Sequence, residues 1–247
     1  TWEIVLADGS RCAAALKVQD QNRKLAVFSI VRSIVPEETW GKIQVADLGN
    51  SNIIGKGDPV IALGNLFGYD NGLGYGVVSS TALSTTFSDG DCRVISTDIP
   101  LEVDGSGILL NQDGAVIGIV RQGIGPETEE GGISVTANAL AISDMKSTME
   151  LLLNGEKVPY AGIYGVTVTA AAAQEQGLPE GLYITAVDAD SPAMAAGIQN
   201  GDVIREVDGK PISGFAAYEK AMLECQPGKE IGITGQRRGA AGYVDIQ

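Results

Sequence analysis

The chain has 247 residues, a formal net charge of −14 and a hydrophobic fraction of 44%. This is the composition of a folded globular protein with room for one large domain or two ordinary ones, and it excludes a disordered chain. The acidic balance disfavours a nucleic-acid partner or an anionic lipid surface, because both would repel the chain.

Residues 1 to about 135 predict short strands separated by turns. The opening stretch "TWEIVLADGSRCAAALKV" indicates two strands joined by a turn at Asp8 and Gly9, which makes a hairpin. Glycine-bounded apolar runs indicate further strands, namely "LAVFSIV", "GDPVIALGN", "GYGVVSSTAL", "CRVISTDI" and "GAVIGIV". Strands at this spacing, without helices between them, are typical of a β-barrel or a β-sandwich.

The first clear helix is predicted after Thr136. Ala141, Met145, Met149 and Leu152 recur at helical spacing and give it one apolar face. We expect the helix to end at Asn154 and Gly155, where glycine adopts the left-handed conformation without strain. The polar residues 155–159 that follow predict a linker and a domain boundary.

The pattern changes beyond this linker. A strand is predicted over 181–187, followed by a short helix with Ser191 as its N-cap, Pro192 in its first turn and Gly197 at its end. Two strands meet at a turn formed by Asp208 and Gly209. A second helix is predicted to start near Phe215, with an apolar face that comprises Phe215, Tyr218, Met222 and Cys225. Two strands are predicted at the end of the chain.

The cysteines do not predict a metal site. Cys12, Cys92 and Cys225 are far apart in the sequence and in no CxxC arrangement. We therefore predict neither a zinc site nor a disulfide framework, and no metal or cofactor.

The second part of the chain resembles a PDZ domain of the kind attached to bacterial HtrA proteases. The stretch "SPAMAAGIQNGDVIREVDGKPI" carries this resemblance. It implies that "YAGIYG", which begins at Tyr160, binds a peptide's terminal carboxylate through the backbone N–H groups around Ala161, Gly162 and Ile163. The resemblance also implies a peptide groove between the next strand and the helix from Phe215, with Tyr218 and Met222 on that helix.

The first part resembles the trypsin-like domain of the same HtrA family. The matching stretches are "IVLADG", residues 46–68, "TDIPLEVDGSGILLNQDGAVIGI" and "ISVTANALAISDM". The implied fold is mainly β, a trypsin-like double β-barrel whose N-terminal part is incomplete, followed by a small α/β PDZ domain. We therefore predict a protease domain over 1–154, a linker over 155–159 and a PDZ domain over 160–247, and we expect the family's first strands and catalytic His before Thr1.

The resemblance places Ser106 at the family's nucleophile, in a loop that is one residue short. Asp104, Gly105 and Gly107 then belong to the loop whose backbone N–H groups form the oxyanion hole, and a shortened loop can direct those donors elsewhere. The stretch "NRKLAVF" puts Lys24 where the family has the Asp that orients the catalytic His. The chain contains no histidine, and a lysine at that position would oppose an imidazolium.

These residues favour a pseudoprotease that binds peptides or protein C-termini as a scaffold or quality-control adaptor. One alternative is an active serine endopeptidase that uses Ser106 with a His upstream of Thr1, and a Ser106–Lys24 dyad is a further form of activity. Another alternative is a PDZ domain without a free groove, with a structural role only. The acidic stretch 126–132 is predicted to be a solvated loop near the substrate cleft.

The resemblance also implies location and assembly. We expect an extracytoplasmic or cell-surface protein, tethered to the membrane by a segment upstream of the chain. A homo-oligomer is a further expectation from the family, which commonly assembles through N-terminal segments. Neither expectation follows from the composition.

Overall fold

The computed structural model describes residues 2–6, 8–125 and 135–247, which divide into two units. The acidic stretch 126–132, which was predicted to be a solvated loop, lies outside these residues. The first unit comprises Thr1–Gln19, Ala26–Thr85 and Cys92–Gly155. The second comprises Asp20–Leu25, Thr86–Asp91 and Glu156–Gln247.

Three strands at the start form an open sheet in the order β1 (Trp2–Val5), β2 (Arg11–Asp20) and β3 (Leu25–Ile30). The hairpin predicted at Asp8 and Gly9 is confirmed: β1 and β2 pair antiparallel, and Gly9 has a φ of 82°. A 3₁₀ turn (Arg32–Ile34), helix α1 (Glu37–Trp40) and a second 3₁₀ turn (Ser51–Ile53) follow.

The next six strands close into a barrel. They are β4 (Pro59–Asn65), β5 (Gly72–Phe87), β6 (Gly90–Pro100), β7 (Ser106–Leu110), β8 (Val116–Arg121) and β9 (Thr136–Ala141), in the order β4-β5-β6-β9-β8-β7. Closure leaves no unpaired strand edge. The barrel core includes Val60, Ala62, Leu66, Val78, Ile95, Ile99, Leu109, Ile117 and Val120.

Helix α2 (Ile142–Asn154) follows the barrel and ends as predicted. Gly155 is left-handed, with a φ of 83°, and its N–H bonds the last turn of the helix. The buried face differs from the prediction at two positions: Ala141 is the last residue of β9, so Ile142 is the first buried residue of the helix, and Thr148 is buried whereas Met149 is only partly buried. An apolar pattern alone selects the methionine, because threonine carries a polar hydroxyl group.

The second unit contains one antiparallel sheet and three helices. Its strands are β10 (Ile163–Val168), β11 (Gly181–Val187), β12 (Val203–Val207), β13 (Lys210–Pro211), β14 (Ile233–Gly239) and β15 (Gly242–Ile246). They lie in the order β10-β11-β12-β14-β15, with β13 paired to β12. The helices are α3 (Ala170–Gln176), α4 (Pro192–Ala195) and α5 (Phe215–Leu223).

Local signals for the second unit are confirmed. The Ser191 hydroxyl accepts a hydrogen bond from the Met194 N–H at 3.1 Å, which caps α4. Asp208 and Gly209 both have positive φ in the turn between β12 and β13. Helix α3 was not predicted, because its run of alanines has no apolar face for a pattern to detect.

Candidate functional site

The backbone N–H groups of the predicted carboxylate loop converge on one point within the second unit. The Ala161 and Gly162 N–H groups donate to one carboxylate oxygen of Asp89, at 2.7 and 2.8 Å, and the Ile163 N–H donates to the other at 3.1 Å. The Tyr218 hydroxyl, on α5, donates to that second oxygen at 2.7 Å. Four donors therefore surround a single carboxylate, which is the environment that stabilises a buried negative charge.

The shape of this loop depends on a glycine. Gly162 has a φ of 89°, and a Cβ atom there would lie 2.4 Å from the Ser191 Cβ. Carbonyl groups of the loop are also fixed, because Ala161 accepts from the Ala193 N–H and Gly162 from the Asp188 N–H. The loop backbone is thus also fixed by hydrogen bonds other than those to Asp89, and these bonds limit the directions in which its three N–H groups can point.

Asp89 itself was not singled out from the sequence. It lies in the turn between β5 and β6, has a φ of 62° and is 3% exposed. Its own N–H donates to the Ile163 carbonyl at 2.7 Å, so its backbone also pairs with the start of β10. The only sequence signal was the Asp89-Gly90 pair, which predicts a turn but not what the carboxylate binds.

Neighbouring hydroxyl groups hold the residue before Asp89. The Ser88 hydroxyl donates to the Asp188 carboxylate at 2.5 Å and lies 2.9 Å from the Tyr164 hydroxyl. The Tyr160 hydroxyl donates to the same Asp188 carboxylate. Burial, with Asp188 as a further cause, raises the pKa of Tyr160 to about 12, so this hydroxyl remains a donor at neutral pH.

A buried arginine lies on the other side of the turn. Arg23 is 3% exposed and forms ion pairs with Asp20 at 3.3 Å and with Glu219 of α5 at 3.2 Å. Its guanidinium also lies over the Phe87 ring, 5.8 Å from the centroid. Burial raises the pKa of Glu219 to about 7, although the Arg23 charge lowers it.

A mainly apolar cavity of about 500 Å³ adjoins the carboxylate loop. Tyr160 and Ala161 of the loop line it, together with Met222 of α5. Other apolar residues in its wall are Pro192, Ala193, Ile198, Cys225, Ile231 and Ile233, and the lining also includes Lys157, Gln226, Lys229 and Glu230. All of the predicted peptide-binding residues thus lie in one region of the second unit, with Tyr218 at the carboxylate and Met222 at the cavity.

The predicted nucleophile lies in the first unit, at the first position of β7. Ser106 is exposed, opposite Asn65 of β4 and Arg121 of β8. Among the residues that the structure describes, its hydroxyl has no hydrogen-bond partner. Within this part of the chain, no hydrogen bond therefore joins Ser106 to a general base.

The loop before Ser106 is a tight turn closed on itself. The Gly105 N–H donates to the Glu102 carbonyl at 2.9 Å, and Asp104 is left-handed with a φ of 68°. The Gln122 side chain donates to the same carbonyl at 2.7 Å. The Gly105 N–H group of the predicted oxyanion loop is therefore bonded within the loop itself. Gly107 lies in β7, where it pairs with Gly64 of β4.

Lys24 ends the turn between β2 and β3, with a φ of 55°, and it is exposed. It belongs to the second unit, whereas Ser106 belongs to the first. The Ser106–Lys24 dyad therefore stays a prediction. Among the described residues, no group of three or more His, Cys, Asp or Glu side chains is placed to hold a metal ion.

Comparison with protein families gives two matches along the chain. Residues 2–119 match the trypsin-like peptidase domain, and residues 123–247 match the PDZ domain. The second match covers half of the chain and contains the carboxylate loop. The first contains the nucleophile loop.

Similar proteins match nearly the whole chain. The Serine protease Do-like HtrA of Lactobacillus helveticus is 29% identical over 96% of this chain and 59% of its own length. The Putative serine protease HhoA of Synechocystis sp. is 31% identical over 95% of this chain and 61% of its own. The Periplasmic serine endoprotease DegP of Salmonella typhimurium is 27% identical over 99% of this chain and 50% of its own length. The chain thus spans about half to three-fifths of the length of these relatives.

Solved structures share the fold. The HtrA-type protease AlgW with decapeptide superimposes with a TM-score of 0.64 at 25% identity, covering 98% of this chain and 72% of that one. The same protease with tripeptide gives a TM-score of 0.63 at 25% identity, and the match covers 98% of this chain and 78% of that chain. The mainly β fold predicted from the sequence is confirmed. The chain belongs to the HtrA family of trypsin-like peptidases that carry a PDZ domain.

Proposed function

We propose that this chain is a catalytically inactive HtrA-type protein that binds peptides or protein C-termini and works as a scaffold or quality-control adaptor. One observation carries the peptide-binding proposal: three backbone N–H groups and the Tyr218 hydroxyl converge on one carboxylate, that of Asp89, at the loop of residues 160–163. A chain terminus supplies such a carboxylate, and only a terminus or an acidic side chain can do so in a peptide.

The remaining features of the site fit a peptide of defined chemistry. The cavity beside Ala161 and Met222 is mainly apolar and suits the side chain of an apolar last residue. The edge of β10 can pair with an extended peptide backbone, which gives affinity without regard to sequence. Together these features favour peptides with a free carboxylate and an apolar C-terminal residue.

Inactivity is supported by the nucleophile loop. The Gly105 N–H donates to Glu102 within its own turn, and a lost oxyanion donor costs about 10²–10³ in rate in a related enzyme class. Lys24 at the family's Asp position would oppose the imidazolium that forms during the reaction. Neither feature depends on where the catalytic His would come from.

Peptide recognition is tested by binding of a fluorescent peptide with an apolar last residue, measured by anisotropy. We expect binding to the free-acid peptide and a loss of at least tenfold for the same peptide with an amidated C-terminus. Equal binding of both peptides would rule out carboxylate recognition by residues 160–163. A peptide with a C-terminal Asp in place of the apolar residue is the control for the cavity.

Inactivity is tested with a fluorophosphonate probe, which labels activated serine nucleophiles. We expect no labelling of the folded protein beyond that of the Ser106→Ala variant. An active relative treated in parallel shows that the probe is competent.

The second candidate function is an active serine endopeptidase. Ser106 favours it, because the side chain is exposed and its hydroxyl has no partner among the described residues, and the relatives are named as serine proteases. Labelling of the wild-type protein that disappears in Ser106→Ala would establish this function and contradict the first.

We further propose an extracytoplasmic location, on the basis of relatives named as periplasmic endoproteases. No helix among the described residues has both the length and the apolar character needed to cross a membrane. A membrane tether and a homo-oligomer stay predictions from the family. Fractionation of cells that express the full-length protein tests the location.

A further inference from the structure

The carboxylate that fills the loop of residues 160–163 comes from this chain. We infer that residues 87–91 are an internal ligand of that loop, in which the Asp89 side chain takes the place of a peptide's terminal carboxylate. The inference rests on the proposed role of the loop in peptide recognition. It adds the identity of a ligand that any external peptide has to displace.

The hydrogen bonds of Asp89 are those of a last residue in a bound peptide. Its N–H donates to the Ile163 carbonyl, so its backbone pairs with the start of β10. Its carboxylate then accepts from the N–H groups of Ala161, Gly162 and Ile163. The C-terminal residue of a bound peptide would likewise donate its backbone N–H to the strand and place its carboxylate among the N–H groups of the loop. An ordinary Asp on the protein surface makes neither kind of bond.

The left-handed backbone of Asp89 makes this arrangement possible within a continuous chain. A φ of 62° turns the chain away after the residue, while the side chain continues toward the loop. Asp and Asn adopt this conformation at a lower cost than other non-glycine residues. The chain can therefore present a carboxylate without ending.

Contacts on both sides hold the internal ligand. On one side the Ser88 hydroxyl donates to Asp188, and the Asn22 side chain donates to the Ser88 carbonyl at 2.6 Å. On the other side Gly90 faces Arg23 and Glu219, and a Cβ at Gly90 would lie 2.4 and 2.5 Å from their side-chain ends. The segment is thus fitted to the groove between β10 and α5 over at least three residues.

Asp89 leaves one part of the site unused. It does not line the cavity beside Ala161 and Met222, because its only functional group is taken up by the loop. A peptide with an apolar last residue can use both the loop and the cavity. Such a peptide therefore has a contact that the internal ligand lacks, and it can compete for the loop.

Competition sets the size of the expected effect. If residues 87–91 occupy the loop for about nine-tenths of the time, the apparent Kd of a peptide is about tenfold above its intrinsic value. Removing the Asp89 carboxylate should therefore lower the apparent Kd of the peptide by about tenfold, to its intrinsic value. Asp89→Gly is the sharpest change, because glycine accepts the positive φ and keeps the turn.

The first experiment compares peptide binding by the full chain. We expect Asp89→Gly to bind the free-acid peptide about tenfold or more tightly than wild type, and Asp89→Asn to bind it more tightly as well. The matched control is Asp113→Asn, which removes one charge from an exposed turn in the first unit and should leave the Kd unchanged. Equal affinity of wild type and Asp89→Gly would overturn the internal ligand and leave peptide recognition intact.

The second experiment needs no peptide. Amide hydrogen exchange of Ala161 and Gly162 reports directly whether their N–H groups are bonded. We expect exchange to be at least tenfold faster in Asp89→Gly than in wild type or Asp113→Asn. Unchanged exchange would overturn the inference, even if no variant binds any peptide.

The two experiments separate the two proposals. Faster exchange in Asp89→Gly without peptide binding by any variant would support the internal ligand and contradict the proposed peptide recognition. Faster exchange together with tighter binding supports both.

Discussion

Arg237 of β14 neutralises a carboxylate that is almost fully buried, and its replacement by Met is a direct test of the second unit's electrostatics. Asp202 is 1% exposed and accepts from the Arg237 Nε at 2.6 Å and the Arg237 Nη2 at 2.7 Å. Its remaining partner is the Gln199 N–H at 2.8 Å. In Arg237→Met, Asp202 keeps only this last donor and becomes a buried charge without a counter-ion.

Removing one partner of a buried ion pair costs about 3–5 kcal/mol of stability. The Arg237 side chain is 34% exposed, so water can reach the vacated position and the cost falls toward the lower end. We therefore expect Arg237→Met to lower the free energy of unfolding of the second unit by about 3 kcal/mol. Asp202→Asn with Arg237→Met should cost less than the sum of the two single changes, by about 1–3 kcal/mol.

Arg238 provides the matched control. It is the next residue on the same strand, is exposed and has no ion pair among the described residues. Arg238→Met should change stability by no more than about 0.5 kcal/mol. The assay is amide hydrogen exchange of peptides from β11 and β12 as a function of urea. Equal losses in Arg237→Met and Arg238→Met would show that the buried pair contributes nothing and refute the reasoning.

Two further predictions concern the groove and its loop. Burial raises the pKa of Glu219 from 4.5 to about 7, so the folded state binds this proton more tightly than the unfolded state. The stability of the second unit should therefore fall by up to about 3 kcal/mol as the pH rises from 4.5 to 7, and Glu219→Gln should flatten this profile in urea titrations. Gly162→Ala should lower the Tm more than Gly177→Ala, since both have positive φ but only a Cβ at Gly162 would meet Ser191. Scanning calorimetry that gives equal shifts for both would show that the contact at Gly162 relaxes freely.

Local chemistry made several elements predictable from the sequence. Ser191 and Pro192 start α4, Gly155 ends α2, and Asp208 with Gly209 turns β12 into β13. Each of these features depends on residues within about four positions of one another. Capping hydrogen bonds and left-handed turns are short-range, so their signals are complete in a short stretch of sequence.

The resemblance singled out residues 160–163 from the sequence, whereas the side chain that their N–H groups contact was not predictable. Asp89 lies more than 70 positions before Ala161 along the chain, and no periodicity links the two. Its sequence context, a Ser-Asp-Gly turn between strands, predicts an ordinary hairpin turn and nothing more. Three backbone N–H groups and the Tyr218 hydroxyl meet at its carboxylate, and only the folded chain brings these groups together.

The sequence by itself determined the mainly β fold and the two kinds of domain, and it singled out Ser106 and residues 160–163 as the predicted nucleophile and carboxylate loop. These features follow from strand patterns, turn residues and motifs, each of which involves residues that are close together in the sequence. Tertiary structure decided where the N–H groups of Gly105 and Gly162 point. It also decided that the Asp89 carboxylate lies against the Gly162 N–H group. Hydrogen-bond direction depends on backbone dihedral angles and on distant partners, and neither is encoded in the identity of the residues nearby.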